Sequence, residues 1–142
     1  MAYTAEQRVD AIATVVAGLR QGTPLTVICS ADGMPGYTTI WEWTQKDAVL
    51  SEAIARAREE GFDKIALDCL SIADETAFDT KEGKDGALVP NSEWITRSRL
   101  RVETRLKLLA KWDPKRYGDK LELRGDADAP IQLIQRVIVD PK

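Results

Sequence analysis

Histidine is absent from this chain and cysteine is scarce, which limits the chemistry that the protein can perform. The two cysteines, Cys29 and Cys69, lie far apart in the sequence and form no paired metal-binding motif. Without histidine there is no Ser–His or Cys–His nucleophile system, and a zinc site would lack most of its usual ligands. The sequence contains neither a P-loop nor a dinucleotide-binding glycine motif. We therefore expect reduced cysteines, no catalytic residues, no metal and no cofactor.

Long apolar runs and a basic excess are missing as well. No segment approaches the ~20 apolar residues that a membrane-spanning helix requires. The N-terminus has neither a basic region nor a compact apolar region, so the sequence predicts no signal peptide. Lys and Arg total 20 against 23 Asp and Glu, which gives a net charge of −3. Because strong non-specific DNA binding needs a basic excess, any contact with nucleic acid must come from a local patch or from many copies acting together.

Helical periodicity dominates the N-terminal third of the chain. Thr4 is a predicted N-cap, and Gln7 completes a capping box at the start of the first helix. Gly22 suits the left-handed position after that helix, and Thr23 is a predicted cap for the next one. The helices are predicted over 5–20, 24–31 and 37–45, with a turn over 32–36. Two short helices joined by such a turn indicate a helix-turn-helix motif.

The third of these helices would be the recognition helix, whose first residues reach the major groove in this motif. Thr38 and Thr39 at its start can bind phosphate there, because a helix N-terminus attracts anions. An equally good interpretation from spacing alone is that one threonine merely caps the helix and that Trp41 is buried against a neighbouring helix. The sequence leaves these two interpretations open.

Two long helices are predicted next, over 47–78 with a possible break at Gly61, and over 91–112 with Ser92 as a cap. A polar loop over 80–87 joins them. Together they predict a helical hairpin that serves oligomerisation, because a long, narrow apolar stripe is typical of helices that pack lengthwise against partners. The apolar residues assigned to oligomerisation are Phe62, Ile65, Cys69, Ile72 and Leu106.

A basic stripe marks the second long helix. Arg97, Arg101 and Arg105 are spaced by four and share one face, so they are assigned to oligomerisation as well. We favour ion pairs with acidic residues of the preceding helix, within or between chains. A positive surface facing DNA inside an assembly is the alternative. Asp63 and Asp68 leave open a third possibility, a carboxylate-dependent metal enzyme.

Helical periodicity ends in the segment 113–120, where Pro114 cannot continue a helix. Alternating apolar residues then predict two strands, over 120–124 and 131–139. A lone two-stranded hairpin is marginal in water and exposes its edges, so we expect it to pair with other copies in an intermolecular barrel of a closed ring. The fold is expected to be mainly α, in three parts: a helix-turn-helix DNA-binding domain over 1–60, a helical oligomerisation domain over 61–112 and a C-terminal β-segment over 113–142.

This order of parts, together with the segment from Leu109 to Lys120, resembles the small terminase subunits of tailed bacteriophages, and within them the Sf6-like subgroup. The segment includes the sequence Arg-Tyr-Gly-Asp-Lys. The likeness covers nearly the whole chain. It is strongest from Arg99 through Lys120, moderate around 33–35, 39–40 and Trp43, and weak over 61–90.

The resemblance implies a non-catalytic, ring-shaped viral DNA-packaging factor in the host cytoplasm. Such a factor recognises viral double-stranded DNA and regulates the ATPase and nuclease of the large terminase subunit. Relatives can carry a basic residue where this chain has Glu42. The DNA-contacting residues implied are Arg20, Thr26, Thr38, Thr39, Trp41, Glu42 and Lys46. The alternative is a helix-turn-helix transcription regulator, which would form a two-fold dimer on a palindromic site.

Overall fold

The computed structural model describes residues 3–120, and most of these residues are helical. The helices are α1 (Ala5–Arg20), α2 (Leu25–Ile28), α3 (Tyr37–Lys46), α4 (Ala48–Asp74), α5 (Ser92–Trp112) and α6 (Pro114–Tyr117), and the strands are β1 (Thr80–Glu82) and β2 (Leu88–Pro90). The predicted mainly α fold class is confirmed. None of the helices between residues 3 and 120 combines the length and the apolar character needed to cross a bilayer. The predicted C-terminal strands lie outside the described residues, apart from Lys120.

The start and the end of α1 follow local sequence signals. The Thr4 hydroxyl accepts a hydrogen bond from the Gln7 backbone N–H at 3.1 Å, and the Gln7 side chain accepts one from the Thr4 N–H at 3.0 Å. Gly22 has a φ of +80°, the left-handed conformation that ends a helix at low cost for glycine. The predicted capping box and the predicted helix end are therefore confirmed.

The N-terminal core is shared by four helices. Ile40 of α3 and Val15 of α1 are almost completely buried, with 1% and 0% of their surface exposed. The first half of α4 closes this core from the side, so the helix-turn-helix is completed by residues outside the motif itself. The buried core residues are Val15, Leu19, Leu25, Ile28, Ile40, Leu50, Ile54 and Ala57.

The predicted break at Gly61 is wrong, because α4 runs without interruption from Ala48 to Asp74. A Cβ placed on Gly61 would lie 1.9 Å from the backbone oxygen of Leu19, at the end of α1. Glycine is needed here for the close approach of two backbones, and the helix itself continues. The proposed domain boundary at 60/61 therefore falls in the middle of a helix that belongs to both parts.

The predicted helical hairpin is formed by α4 and α5, which run antiparallel. At one end Phe62 stacks on Trp112 with ring centroids 6.0 Å apart, and at the other end Phe78 contacts Trp94 at 4.7 Å. Between these two aromatic pairs, Leu109 is fully buried. The hairpin thus has its own apolar seam along the second half of α4.

The segment predicted as a polar loop over 80–87 is instead largely a small β-hairpin. Thr80 pairs with Pro90 and Glu82 with Leu88 in antiparallel register, and all six strand residues are exposed. Gly86 in the connecting turn has a φ of +73°. The sequence signal of this hairpin is weak because its strands are only three residues long and have no buried face to produce an alternating pattern.

Several helix boundaries also differ from prediction, and α2 ends at Ile28, three residues before the predicted position 31. The first long helix ends at Asp74, before the predicted position 78. The cap of α5 is Asn91, whose side chain accepts from the Trp94 N–H at 3.5 Å, and Ser92 is its first helical residue. Thr23 does not cap α2, which begins after Pro24 without a side-chain cap. Such shifts of a few residues are typical where adjacent polar residues compete for a cap.

Candidate nucleic-acid interface

The N-terminus of α3 is open to a ligand. The helix begins after Gly36, and no side chain in the described part of the chain, residues 3–120, caps it. Thr38 and Thr39 are the second and third residues inside the helix, so the interpretation that one of them is the cap is wrong. The N–H groups of the first turn have no acceptor within their own helix, and the helix dipole favours an anion there.

The outward face of α3 lies opposite its buried residue Ile40. Helical spacing places Thr38, Glu42 and Gln45 on this outward face, and all three are exposed. Trp43 packs instead against the core below. The sequence analysis missed Gln45, although its position three residues after Glu42 would have identified it once Ile40 was taken as the buried centre.

Trp41 lies on one flank of α3 and is 51% exposed, so the interpretation that it is buried is wrong. Together with Tyr37, four residues earlier, and Arg58 of α4, it lines an open groove of about 290 Å³ between α3 and α4. Arg58 is exposed. The sequence analysis missed Arg58 because only the packing of α4 against α3 brings it beside the recognition helix.

The other predicted contact residues have different surroundings. Thr26 of α2 is exposed and lines a neighbouring groove of about 340 Å³ that Tyr37 and Arg58 also border. Lys46 is exposed in the last turn of α3. Arg20 forms an ion pair with Glu60 at 2.8 Å, so its charge is already partly compensated. The fold therefore brings Thr26 and Trp41 to the edges of one surface, with Arg58 between them.

The charge balance near α3 is modest. Arg8 forms an ion pair with Asp47 at 3.6 Å and stacks over the Trp43 ring at 5.2 Å. Within residues 3–120, Lys46 and Arg58 have no carboxylate partner at ion-pairing distance. These two cations stand against Glu42 on the outward face, so electrostatic attraction of DNA to a single copy is weak.

Most of the apolar residues assigned to oligomerisation pack against other residues of the same chain. Phe62 stacks on Trp112, Cys69 is only 6% exposed, and Ile72 lines the junction with α5. Ile65 lies against Gly22, where an added Cβ would be 2.7 Å from its side chain. Burial raises the pKa of the Cys69 thiol, which keeps it protonated at neutral pH. Their role in contacts between copies stays a prediction.

The basic stripe makes its contacts along α5. Arg97 pairs with Glu93 at 3.3 Å, and the Arg105 guanidinium donates to the Arg101 backbone oxygen at 3.2 Å. Within residues 3–120, no carboxylate of α4 lies at ion-pairing distance from any of these arginines, so the expected pairs between helices of one chain are not formed. Leu106 is 49% exposed beside them. Ion pairs between copies stay a prediction.

The segment after α5 is held against α4 by a polar cluster around Asp63. Arg116 Nη1 donates to Asp63 Oδ1 at 2.8 Å, its Nη2 donates to the Glu59 backbone oxygen at 3.1 Å, and the Tyr117 hydroxyl also donates to Asp63. The hydrogen bond from Tyr117, followed by those from Arg116, lowers the pKa of the Asp63 carboxyl. Pro114 opens the short helix α6, and Asp113 accepts from the Arg116 Nε at 2.6 Å. Asp63 therefore fixes the direction in which the chain leaves the hairpin.

The architecture defines the class of this protein: a helix-turn-helix unit whose core is completed by a long helix that continues into a helical hairpin. The family model described as "Bacteriophage Sf6, terminase small subunit-like" matches residues 7–124. The chain belongs to this family, and the resemblance seen in the sequence is confirmed. The role of the protein is accordingly in the packaging of phage DNA.

Solved structures support the same assignment. Two crystal structures of single-substitution variants of the terminase small subunit gp1 of the bacterial virus Sf6 have TM-scores of 0.56 and identities of 28% and 29%. A third variant has a TM-score of 0.55 and 29% identity. Each comparison covers 96% of this chain and 95% of the other. A search among curated proteins finds no match.

Proposed function

We propose that this protein recognises viral double-stranded DNA through α3, assembles into a closed ring and regulates the large terminase subunit. The observation that carries the DNA contact is the N-terminus of α3, which has no side-chain cap within residues 3–120 and whose Tyr37 and Trp41 flank borders the same groove as Arg58. Membership of the Sf6 terminase small subunit-like family supports the packaging role. Residues 1–60 bind DNA, 61–112 drive assembly and 113–142 form the shared β-segment of the ring.

Ring assembly compensates for the weak contact that each copy makes. One copy offers Lys46, Arg58 and the first turn of α3 to phosphates, while Glu42 opposes them. Copies held in one ring bind one DNA molecule with a high effective concentration, so their weak contacts combine into stable binding. The ring then presents the bound DNA to the large subunit, which holds the ATPase and nuclease, in the host cytoplasm.

Substitution of the two free cations tests the DNA contact. Lys46→Gln combined with Arg58→Gln should weaken binding of double-stranded DNA about tenfold and lower the slope of log K against log salt by about 2, since each phosphate contact contributes about one unit. Fluorescence anisotropy at several salt concentrations measures both quantities. Lys84→Gln in the exposed turn of the β-hairpin is the matched control and should change neither.

The possible outcomes separate the candidate functions. Unchanged affinity in the double variant would remove Lys46 and Arg58 from the DNA contact. Native mass spectrometry should show a ring for the wild-type chain. A two-fold dimer that protects a palindromic site in footprinting would instead identify a transcription regulator.

A further inference from the structure

The two helices of the hairpin carry opposite charge. Beyond Gly61, α4 has three acidic residues and one lysine, a net charge of −2, whereas α5 has six basic and two acidic residues, a net charge of +4. Within residues 3–120, no ion pair joins α4 to α5. The pairs that form, such as Lys64 with Asp68 and Arg99 with Glu103, stay inside one helix. Asp63 is bound by Arg116 of its own chain, and Arg97 pairs with Glu93 of its own helix. Within residues 3–120, Asp74, Lys107 and Lys111 have no ion-pair partner, so part of the opposite charge is available to groups outside the hairpin.

Each helix also exposes leucine side chains on the side away from its partner. Leu67 and Leu70 of α4 are 59% and 61% exposed, and Leu100 of α5 is 61% exposed. The hairpin seam lies on other faces of the two helices, where Cys69 and Leu109 are buried. Helical spacing groups these leucines with charges into two surfaces. The acidic face consists of Asp63, Leu67, Leu70 and Asp74, and the basic face consists of Arg97, Leu100, Lys107 and Lys111.

The two faces match in spacing when they are placed antiparallel. Asp74 lies four residues from Leu70, about 6 Å along the helix, and Arg97 lies three residues from Leu100, about 4.5 Å. In the other direction Asp63, whose carboxylate also binds Arg116 of its own chain, lies seven residues from Leu70. Lys107 likewise lies seven residues from Leu100, about 10.5 Å in each case. An acid–leucine–acid pattern on one surface thus aligns with a base–leucine–base pattern on the other.

We propose that the acidic face of one copy packs on the basic face of the next, with Leu70 against Leu100 and Asp74 against Arg97. This inference rests on the ring assembly proposed above and specifies its interface. Because the two faces are different surfaces, the contact is heterologous, and each copy keeps one of each face for a further neighbour. Such a contact repeats around a closed ring, whereas a two-fold dimer would need one self-complementary face.

Charge reversal in the intact chain tests this pairing. Asp74→Lys and Arg97→Glu should each raise at least tenfold the concentration at which half of the protein is assembled, because each places like charges opposite one another. The double variant should recover assembly close to the wild-type level. Mass photometry across a dilution series measures the assembled fraction, and Lys84→Glu in the β-hairpin turn is the control. Both substituted side chains are exposed, so circular dichroism should show unchanged helix content.

The outcomes distinguish this interface from the ring itself. A wild-type ring that both single variants still form would overturn the interface and leave the proposed function standing. Disrupted single variants without recovery in the double variant would overturn the pairing of Asp74 with Arg97. A wild-type chain that stays monomeric at all concentrations would overturn the ring and the interface together.

Discussion

At the residue scale, a single glycine decides how the N-terminal core meets the hairpin. Gly61 has no side chain where the end of α1 crosses α4, and the backbone oxygen of Leu19 occupies the position that a Cβ would need. The crossing therefore depends on the absence of one methyl group. Gly22 contributes from the opposite side, because its Cα would lie 3.2 Å from a Cβ on Gly61 and its positive φ ends α1 at this point.

Gly61→Ala should lower the free energy of unfolding by about 2–3 kcal/mol, because the added methyl group meets backbone that cannot rotate away. Urea denaturation followed by circular dichroism measures the change. Gly36→Ala is the control, since a Cβ there has no neighbour within 4 Å, and its effect should stay below about 1 kcal/mol. Equal effects of the two substitutions would show that the close approach is not a constraint.

In the proposed DNA contact, we expect Glu42 to limit the affinity. Its carboxylate lies on the outward face of α3, where it repels phosphate. Glu42→Gln should tighten binding of double-stranded DNA about threefold to tenfold, because it removes this repulsion without adding a cation. Glu82→Gln in β1 makes the same charge change away from α3 and should leave the anisotropy titration unchanged. Weaker binding of Glu42→Gln would indicate that the carboxylate accepts a hydrogen bond from a base.

At the element scale, the short helix α6 is held by polar contacts rather than by an apolar core. None of its residues is buried, and its fixed points are Asp63, Arg116 and Tyr117. A four-residue helix has too few internal hydrogen bonds to be stable alone. Its position, and the exit of the chain at Gly118, therefore depend on the Asp63 cluster.

The cluster should respond to acid. Since the folded-state pKa of Asp63 is lowered, its contribution is present above the unfolded value of about 4 and is lost as the pH falls through the folded value. Hydrogen exchange followed by mass spectrometry, corrected for the intrinsic pH dependence, should show weaker protection of residues 113–118 below about pH 4. Asp63→Asn should show the weaker protection already at neutral pH.

Asp68→Asn is the matched control for this experiment, because it removes a carboxylate of α4 whose one ion pair within residues 3–120 is with Lys64 of the same helix. It should leave protection of α6 unchanged at every pH. Equal protection of α6 in the wild type and in Asp63→Asn at neutral pH would contradict the role assigned to the cluster.

At the scale of the whole molecule, α4 joins the N-terminal core to the hairpin. Its first half completes the helix-turn-helix core and its second half forms the hairpin with α5. A rigid helix through both parts fixes the orientation of α3 relative to the hairpin. If the hairpins form the body of a ring, every copy then presents α3 at the same angle, which is what simultaneous contact with one DNA molecule requires.

Truncation after Lys120 tests how the parts depend on one another. The buried side chains of the N-terminal core and of the hairpin seam lie within residues 11–109. We therefore expect the truncated chain to keep its helix content and its thermal midpoint within a few degrees. If residues 121–142 form the shared β-segment, native mass spectrometry should show a less stable ring. A ring of unchanged mass and stability would assign closure to the hairpins alone.

The sequence by itself determined the helices whose ends are marked by local chemistry. The capping box of Thr4 and Gln7, the left-handed Gly22 and the turn before α3 act over a few residues and need no tertiary context. Local patterns also predicted that a helix-turn-helix is followed by a helical hairpin. The sequence of the segment from Leu109 to Lys120 indicated the family. The small β-hairpin over 80–90 was not predicted, because its short, exposed strands have no buried face that would produce an alternating apolar pattern in the sequence.

Only the tertiary structure decided which helix surfaces are covered within the chain and which remain exposed to a partner. The apolar stripe from Phe62 to Ile72 looked available to other copies, but it is largely used against α5 and α1 of the same chain. Arg58 joined the candidate DNA interface because α4 packs beside α3. Periodicity reveals that a helix face will be covered. It does not reveal which neighbour covers it, because that depends on how whole helices pack together.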